Sequence, residues 1–104
     1  MAHMKEGVTV TMSVRLKPEV TDEFCAGLSE AIKPTVGFAG FRSIRAVRHK
    51  ADRNRLLFIE TWDSEASYQA YMEWRVNAGA LEEFDRILAA PPVIDVWPSV
   101  LAKA

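Results

Sequence analysis

Between Leu56 and Arg75 the chain reads LLFIETWDSEASYQAYMEWR, and its polar residues stand where such groups need a reason. Glu60 interrupts an apolar run. A carboxylate taken out of water is ion-paired, hydrogen-bonded, or held ready as a base. Arg75 falls on one helical face with Tyr68, Tyr71 and Met72. Its guanidinium then pairs with Glu60 or Asp95, lays its stem over the aromatics toward water, or faces a cavity where it holds an anionic or phenolic oxygen. Tyr68 and Tyr71 each carry a hydroxyl that needs a partner, which a pocket can supply. Trp62 and Trp74 are core fillers or ligand stackers. The chemistry open to this set is proton abstraction by a carboxylate with stabilisation of the resulting anion. Glu60 and Arg75 are the catalytic candidates, and Phe58, Trp62, Tyr68, Tyr71, Met72 and Trp74 the substrate-binding ones.

Other chemistries lack their residues. Cys25 is the single cysteine, so an intramolecular disulfide or a cysteine metal cluster has no second ligand. It reads as a small core residue, and a lone thiol suits a reducing cytoplasm. Met1–His3, in the opening MAHM, read as a cloning scar, and residues 4–104 as one domain. His49 is then the only native histidine, which leaves no zinc ligand set and makes it a reserve candidate for a general base. No metal and no cofactor is expected. The net charge of −1 gives no general attraction to nucleic acid or anionic lipid, and no apolar run approaches the roughly 20 residues of a membrane span. The arginines and lysine between Arg42 and Arg55 fall on both strand faces without interleaved aromatics. They read as solubilising charge on an edge hairpin with Asp52 as counter-charge, rather than as an anion or nucleic-acid patch.

The elements that position the candidates follow from periodicity. Val8, Val10, Met12, Val14 and Leu16 alternate with Thr9, Thr11, Ser13 and Arg15, which predicts a strand with one apolar face. Pro18 opens a helix whose buried stripe is Val20, Phe24, Leu28 and Ile32, ended by Pro34 and Gly37. Phe41–Arg48 is a second strand, joined through a hairpin at 51–54 to a third. On that third strand Leu56, Phe58, Glu60 and Trp62 share one face and Leu57, Ile59 and Thr61 the other. Asp63 or Ser64 caps the aromatic helix. Leu81, Phe84, Ile87 and Leu88 mark a last helix, and Val93–Trp97 a closing strand limited to an edge by Pro98.

The order β-α-β-β-α-α-β contains the ferredoxin-like arrangement, an α+β fold with an antiparallel sheet and helices on one face. Because the third strand is apolar on both faces, the face without helices needs a cover. A second copy is the simplest one, so a homodimer through the sheet face is expected, forming a dimeric α+β barrel.

The segment FIETWDSEASYQAY, followed by an amphipathic helix, a double proline and PPVIDVW, resembles the antibiotic biosynthesis monooxygenase family from Val8 to about Val100. That resemblance implies the same ferredoxin-like homodimer, often with a cavity between sheet and helices. It implies oxidation of a small aromatic or quinol-like substrate with O₂ and no metal or flavin in some members, and haem degradation in others. Trp62 matches the strand-end tryptophan of the quinone-forming members, and Tyr68 the tyrosine six positions later. Their substrate-holding asparagine is Phe58 here, and Arg75 or Arg86 stands for a substrate-binding arginine. In haem-degrading members a tryptophan and an axial histidine occupy the places of Tyr71 and Leu81. The readings carried forward are a cofactor-independent monooxygenase and, as the alternative, a non-catalytic dimeric ligand-binding module. A fully packed dimer without a cavity is the third.

Overall fold

The computed structural model describes residues 7–104; the scar reading of Met1–His3 lies outside the described residues. Four strands form one antiparallel sheet in the order β2-β3-β1-β4, with β1 Val8–Arg15, β2 Phe41–Arg48, β3 Arg55–Trp62 and β4 Val93–Trp97. The register sets Val10 opposite Glu60, Met12 opposite Phe58 and Val14 opposite Leu56. Facing pairs share a side of the sheet, so the alternating residues of β1 and β3 form one continuous apolar surface interrupted at Glu60. Helical residues pack on that surface, which is the expected ferredoxin-like α+β architecture.

The first helical region departs from the expected single helix. A short 3-10 turn at Pro18–Val20 leads into α1 Thr21–Ala26, α2 Leu28–Ala31 and α3 Lys33–Val36. Gly27 and Ile32 are the breaks. Glycine holds helical geometry poorly. Pro34 does not stop the helix but sits in the first turn of α3, where a missing N–H costs no hydrogen bond. Val20, Phe24 and Leu28 still face the core.

The second helical region is regular. Ser64 caps α4 Glu65–Asn77, its hydroxyl accepting from the Ser67 N–H at 3.1 Å. Gly40, at φ +87°, lets the start of β2 pass so near this helix that a Cβ there would lie 2.4 Å from Ser67 Oγ. Gly79, at φ +101°, turns the chain into α5 Ala80–Ile87. On α5 the buried places go to Ala80 and Ile87, with Phe84 partly buried, while Leu81 is 55% exposed. The expected stripe through Leu81 is thus one position out, because 80, 84 and 87 share one helical face at i, i+4 and i+7, and Leu81 is turned about 100° from Ala80.

The cationic hairpin has more counter-charge than Asp52. Arg15 pairs with Asp52, Arg42 with Asp63 and Arg53 with Asp22, all on the surface. β2 is an edge strand, where such charge discourages pairing with other chains. On the sheet's other side, Leu57 and Ile59 are half-buried, and Val93 and Trp97 of β4 are 58% and 55% exposed. No helix is long and apolar enough to cross a membrane.

Candidate active site

β3 and α4 bring the candidate residues together, and the sheet divides them. Going along β3, Leu56 and Phe58 join a cluster with Val14, Leu16, Ile87 and Leu88, while Trp62 joins another with Val8, Val10, Tyr68 and Tyr71. Glu60 lies between the two. The first cluster is hollow. A cavity of about 380 Å³ lies between the sheet and helices α1–α5, within the range of small-molecule sites. Its wall is mostly apolar, with Met12, Ile44, Phe58 and Phe24 among its members. Seven polar residues interrupt that wall: Glu23, Thr35, Glu60, Tyr71, Arg75, and the ion-paired Glu83 and Arg86.

Glu60 is buried, and one carboxylate oxygen accepts from Trp62 Nε1 at 2.9 Å. The bond follows from local geometry, since positions 60 and 62 project from the same side of the strand. Desolvation pushes the Glu60 carboxyl up from its ordinary value, against the Trp62 hydrogen bond and the Arg75 charge, which hold it down. A carboxyl shifted upward by burial is poised to exchange a proton nearer neutrality than an exposed one.

Arg75 lies one helical turn after Tyr71, donating from Nη1 to the Tyr71 hydroxyl at 3.2 Å, with Cζ 5.8 Å from the ring centroid. It makes no ion pair with Glu60 or Asp95. The Tyr71 hydroxyl also meets Thr35 Oγ1 at 2.6 Å. This anchors α4 to α3, and both side chains are buried. The fully packed reading required a filled core with Arg75 tied to a carboxylate. The cavity and the Arg75–Tyr71 bond replace it.

Trp62, Tyr68 and Met72 do not reach the cavity wall. Trp62 is fully buried, with ring centroids 4.8 Å from Tyr71, 5.6 Å from Phe41 and 6.0 Å from Tyr68. Burial, with Glu60 and Tyr71 adding to it, pushes the Tyr68 phenol upward, so it stays protonated. Met72 packs against the same cluster, and Trp74 is half-exposed beside Phe38. His49 lies off the cavity at the β2–β3 hairpin, where its Nδ1 accepts from the Ala51 and Asp52 N–H groups. Cys25 is partly buried against the first cluster and does not line the cavity. Leu81, in the place of the haem-degrading members' histidine, points away from the cavity lining. Among the described residues, no three His, Cys, Asp or Glu side chains are grouped to hold a metal ion. Thr35 was not among the sequence candidates. A threonine after a proline carries no periodic signal, and only the approach of α3 to α4 gives it a role.

The same fold recurs in solved structures. PA3566 from Pseudomonas aeruginosa aligns over 95% of this chain and 99% of its own at 17% identity, with a TM-score of 0.73. A structure described as an antibiotic biosynthesis monooxygenase aligns over 89% and 98% at 15% identity, TM-score 0.75. A conserved protein from Methanosarcina mazei Go1 aligns over 90% and 93% at 17% identity, TM-score 0.78. No curated protein matches in sequence. The family model for antibiotic biosynthesis monooxygenase matches residues 7–74, a span that runs from β1 through both Glu60 and Tyr71. On that match, the chain belongs to the antibiotic biosynthesis monooxygenase family.

Proposed function

We propose that this protein is a cofactor-independent monooxygenase acting on a small aromatic or quinol-like substrate bound in the cavity between sheet and helices. The observation that carries the reading is the convergence of Glu60, Tyr71 and Arg75 on one mostly apolar cavity of about 380 Å³. Phe58 and Tyr71 bear on the substrate ring. Trp62, Tyr68, Met72 and Trp74 form the packed backing that holds Tyr71 in place. Glu60 takes a phenolic proton, and Arg75 with the Tyr71 hydroxyl stabilises the phenolate. The electron-rich ring carbon then reduces O₂. One oxygen atom stays on the ring as a carbonyl, the other leaves as water with two hydrogens of the substrate, and a phenol becomes a quinone. Exclusion of water by the apolar wall strengthens each of these electrostatic contacts.

The assembly in this reading is a cytoplasmic homodimer joined through the outer sheet face, with no nucleic-acid or membrane partner. Exposed Val93 and Trp97 beside half-buried Leu57 and Ile59 support it. So does the charge across one row of that face, where Arg45 opposite Ile59 and Asp95 opposite Thr11 lie toward opposite edges. Light scattering is expected to report twice the chain mass, and a stable monomer would overturn it.

Oxygen uptake over a panel of hydroquinones and naphthols tests the chemistry, with isotopic O₂ tracing one atom into product. Arg75→Ala is expected to lower kcat/KM roughly 100-fold. Flat traces on every substrate remove the oxygenase reading. One residue favours the alternative, a non-catalytic ligand-binding dimer: Phe58 on the cavity wall offers no hydrogen bond to a substrate hydroxyl. A small molecule retained in native mass spectrometry, unchanged after aerobic incubation, selects that alternative.

A further inference from the structure

Thr35 and Tyr71 meet hydroxyl to hydroxyl at 2.6 Å, and Arg75 donates to the same phenol oxygen. Each hydroxyl carries one proton, and the guanidinium carries donors only. One of the two hydroxyl protons lies between Thr35 and Tyr71. The other has no acceptor among the described residues, whichever hydroxyl donates to its neighbour. Both residues line the cavity, as does Arg75, which forms no ion pair with a carboxylate among the described residues. The α3–α4 side of the cavity therefore carries more donors than acceptors, while the carboxylates in the lining, Glu23, Glu60 and Glu83, come from α1, β3 and α5.

The geometry points to an acceptor-oxygen subsite made by Thr35, Tyr71 and Arg75, which takes a carbonyl or phenolate oxygen on the edge of an aromatic ring. Such an oxygen accepts two or three donated hydrogen bonds and brings no proton of its own. An ammonium or hydrocarbon edge leaves the surplus donor unanswered. This rests on the reading of the cavity as the substrate site and adds which functional group points to which wall. The oxygen faces the Thr35–Tyr71 pair, leaving Glu60 to receive a proton from elsewhere on the ligand. Thr35 gains the role of fixing the phenol in place.

The test is binding of 1-indanone and indane, one skeleton with and without a carbonyl, by isothermal titration calorimetry. The ratio of their dissociation constants is expected to fall roughly 10-fold, against the ketone, in a Thr35→Val/Tyr71→Phe double variant, and to hold in Thr35→Ser. In the wild type, the carbonyl stretch of bound 1-indanone is expected below its value in cyclohexane. That infrared measurement decides alone if circular dichroism finds the double variant unfolded. An unchanged ratio, an unshifted stretch, or no binding of 1-indanone overturns the subsite. Since 1-indanone carries no phenol to oxidise, the result is independent of turnover. A protein with this preference and no oxygen uptake keeps the subsite and loses the oxygenase reading. One that consumes oxygen without the preference does the reverse.

Discussion

The two halves of the sheet's inner face are built from the same strands and packed in opposite ways. Beyond Glu60, Trp62 lies within 4.8 to 6.3 Å, ring to ring, of Tyr71, Phe41, Tyr68 and Phe38, and of these rings only Tyr71 lines the cavity. Before it, Phe58, Leu16 and Val14 line about 380 Å³ of space. The difference lies in the helices. α4 is one capped helix of 13 residues that lays two tyrosines on the sheet. Helices α1 to α3 are three short pieces broken at Gly27 and Ile32, and small Gly27 and Ala31 line the space between them and the strands. A continuous helix bearing aromatics fills its groove, whereas broken turns with small residues stand off. Glu60 belongs to both halves, held by Trp62 on the packed side and open to the hollow one.

The largest expected effect breaks the packed half. Trp62→Ala removes a fully buried ring and the hydrogen bond to Glu60, and is expected to cost about 3–5 kcal/mol in urea denaturation. Phe58→Leu tests the hollow half, where space already exists to absorb a change of shape. A loss under about 1.5 kcal/mol is expected, with altered affinity for bicyclic ligands by calorimetry. Equal losses at the two positions would mean that the halves are packed alike. Ser64→Ala removes the cap that starts α4 and is expected to cost about 1 kcal/mol by thermal unfolding.

Glu60→Gln sharpens the seam through its sign. The folded protein holds this carboxyl above its ordinary value of 4.5, so the folded state binds the proton more tightly than the unfolded one. Its contribution is therefore fully present below about pH 4.5 and is lost as pH rises through the folded value. Wild type is expected to lose stability relative to Glu60→Gln on passing from pH 4 toward neutrality, with little difference in acid. Urea midpoints across that window check it, and a wild type that gains relative to the variant would reverse the assignment.

Much of this division was legible along β3 itself. The alternation of Leu56, Phe58, Glu60 and Trp62 marks one buried face with a carboxylate in it, and the i, i+2 spacing that links Glu60 to Trp62 is local. Tyr71 and Arg75, four apart on a helix, are equally local. Which aromatics line a cavity was not legible, because Trp62 and Tyr68 share periodicity with Phe58 and Tyr71. Nor was the exposure of Leu81, where a phase error of one residue moves a side chain by a quarter-turn of helix.

The sequence alone determined the order of elements, the apolar face of each strand and the ferredoxin-like arrangement, because those follow from periods of two and 3.6 along one chain. Tertiary structure decided the rest. The breaks at Gly27 and Ile32 hold the first helices off the sheet and open a cavity, and the approach of α3 to α4 joins Thr35 to a tyrosine 36 residues away. Empty space and contacts between distant segments depend on how elements sit against each other, and no spacing within a single element encodes that.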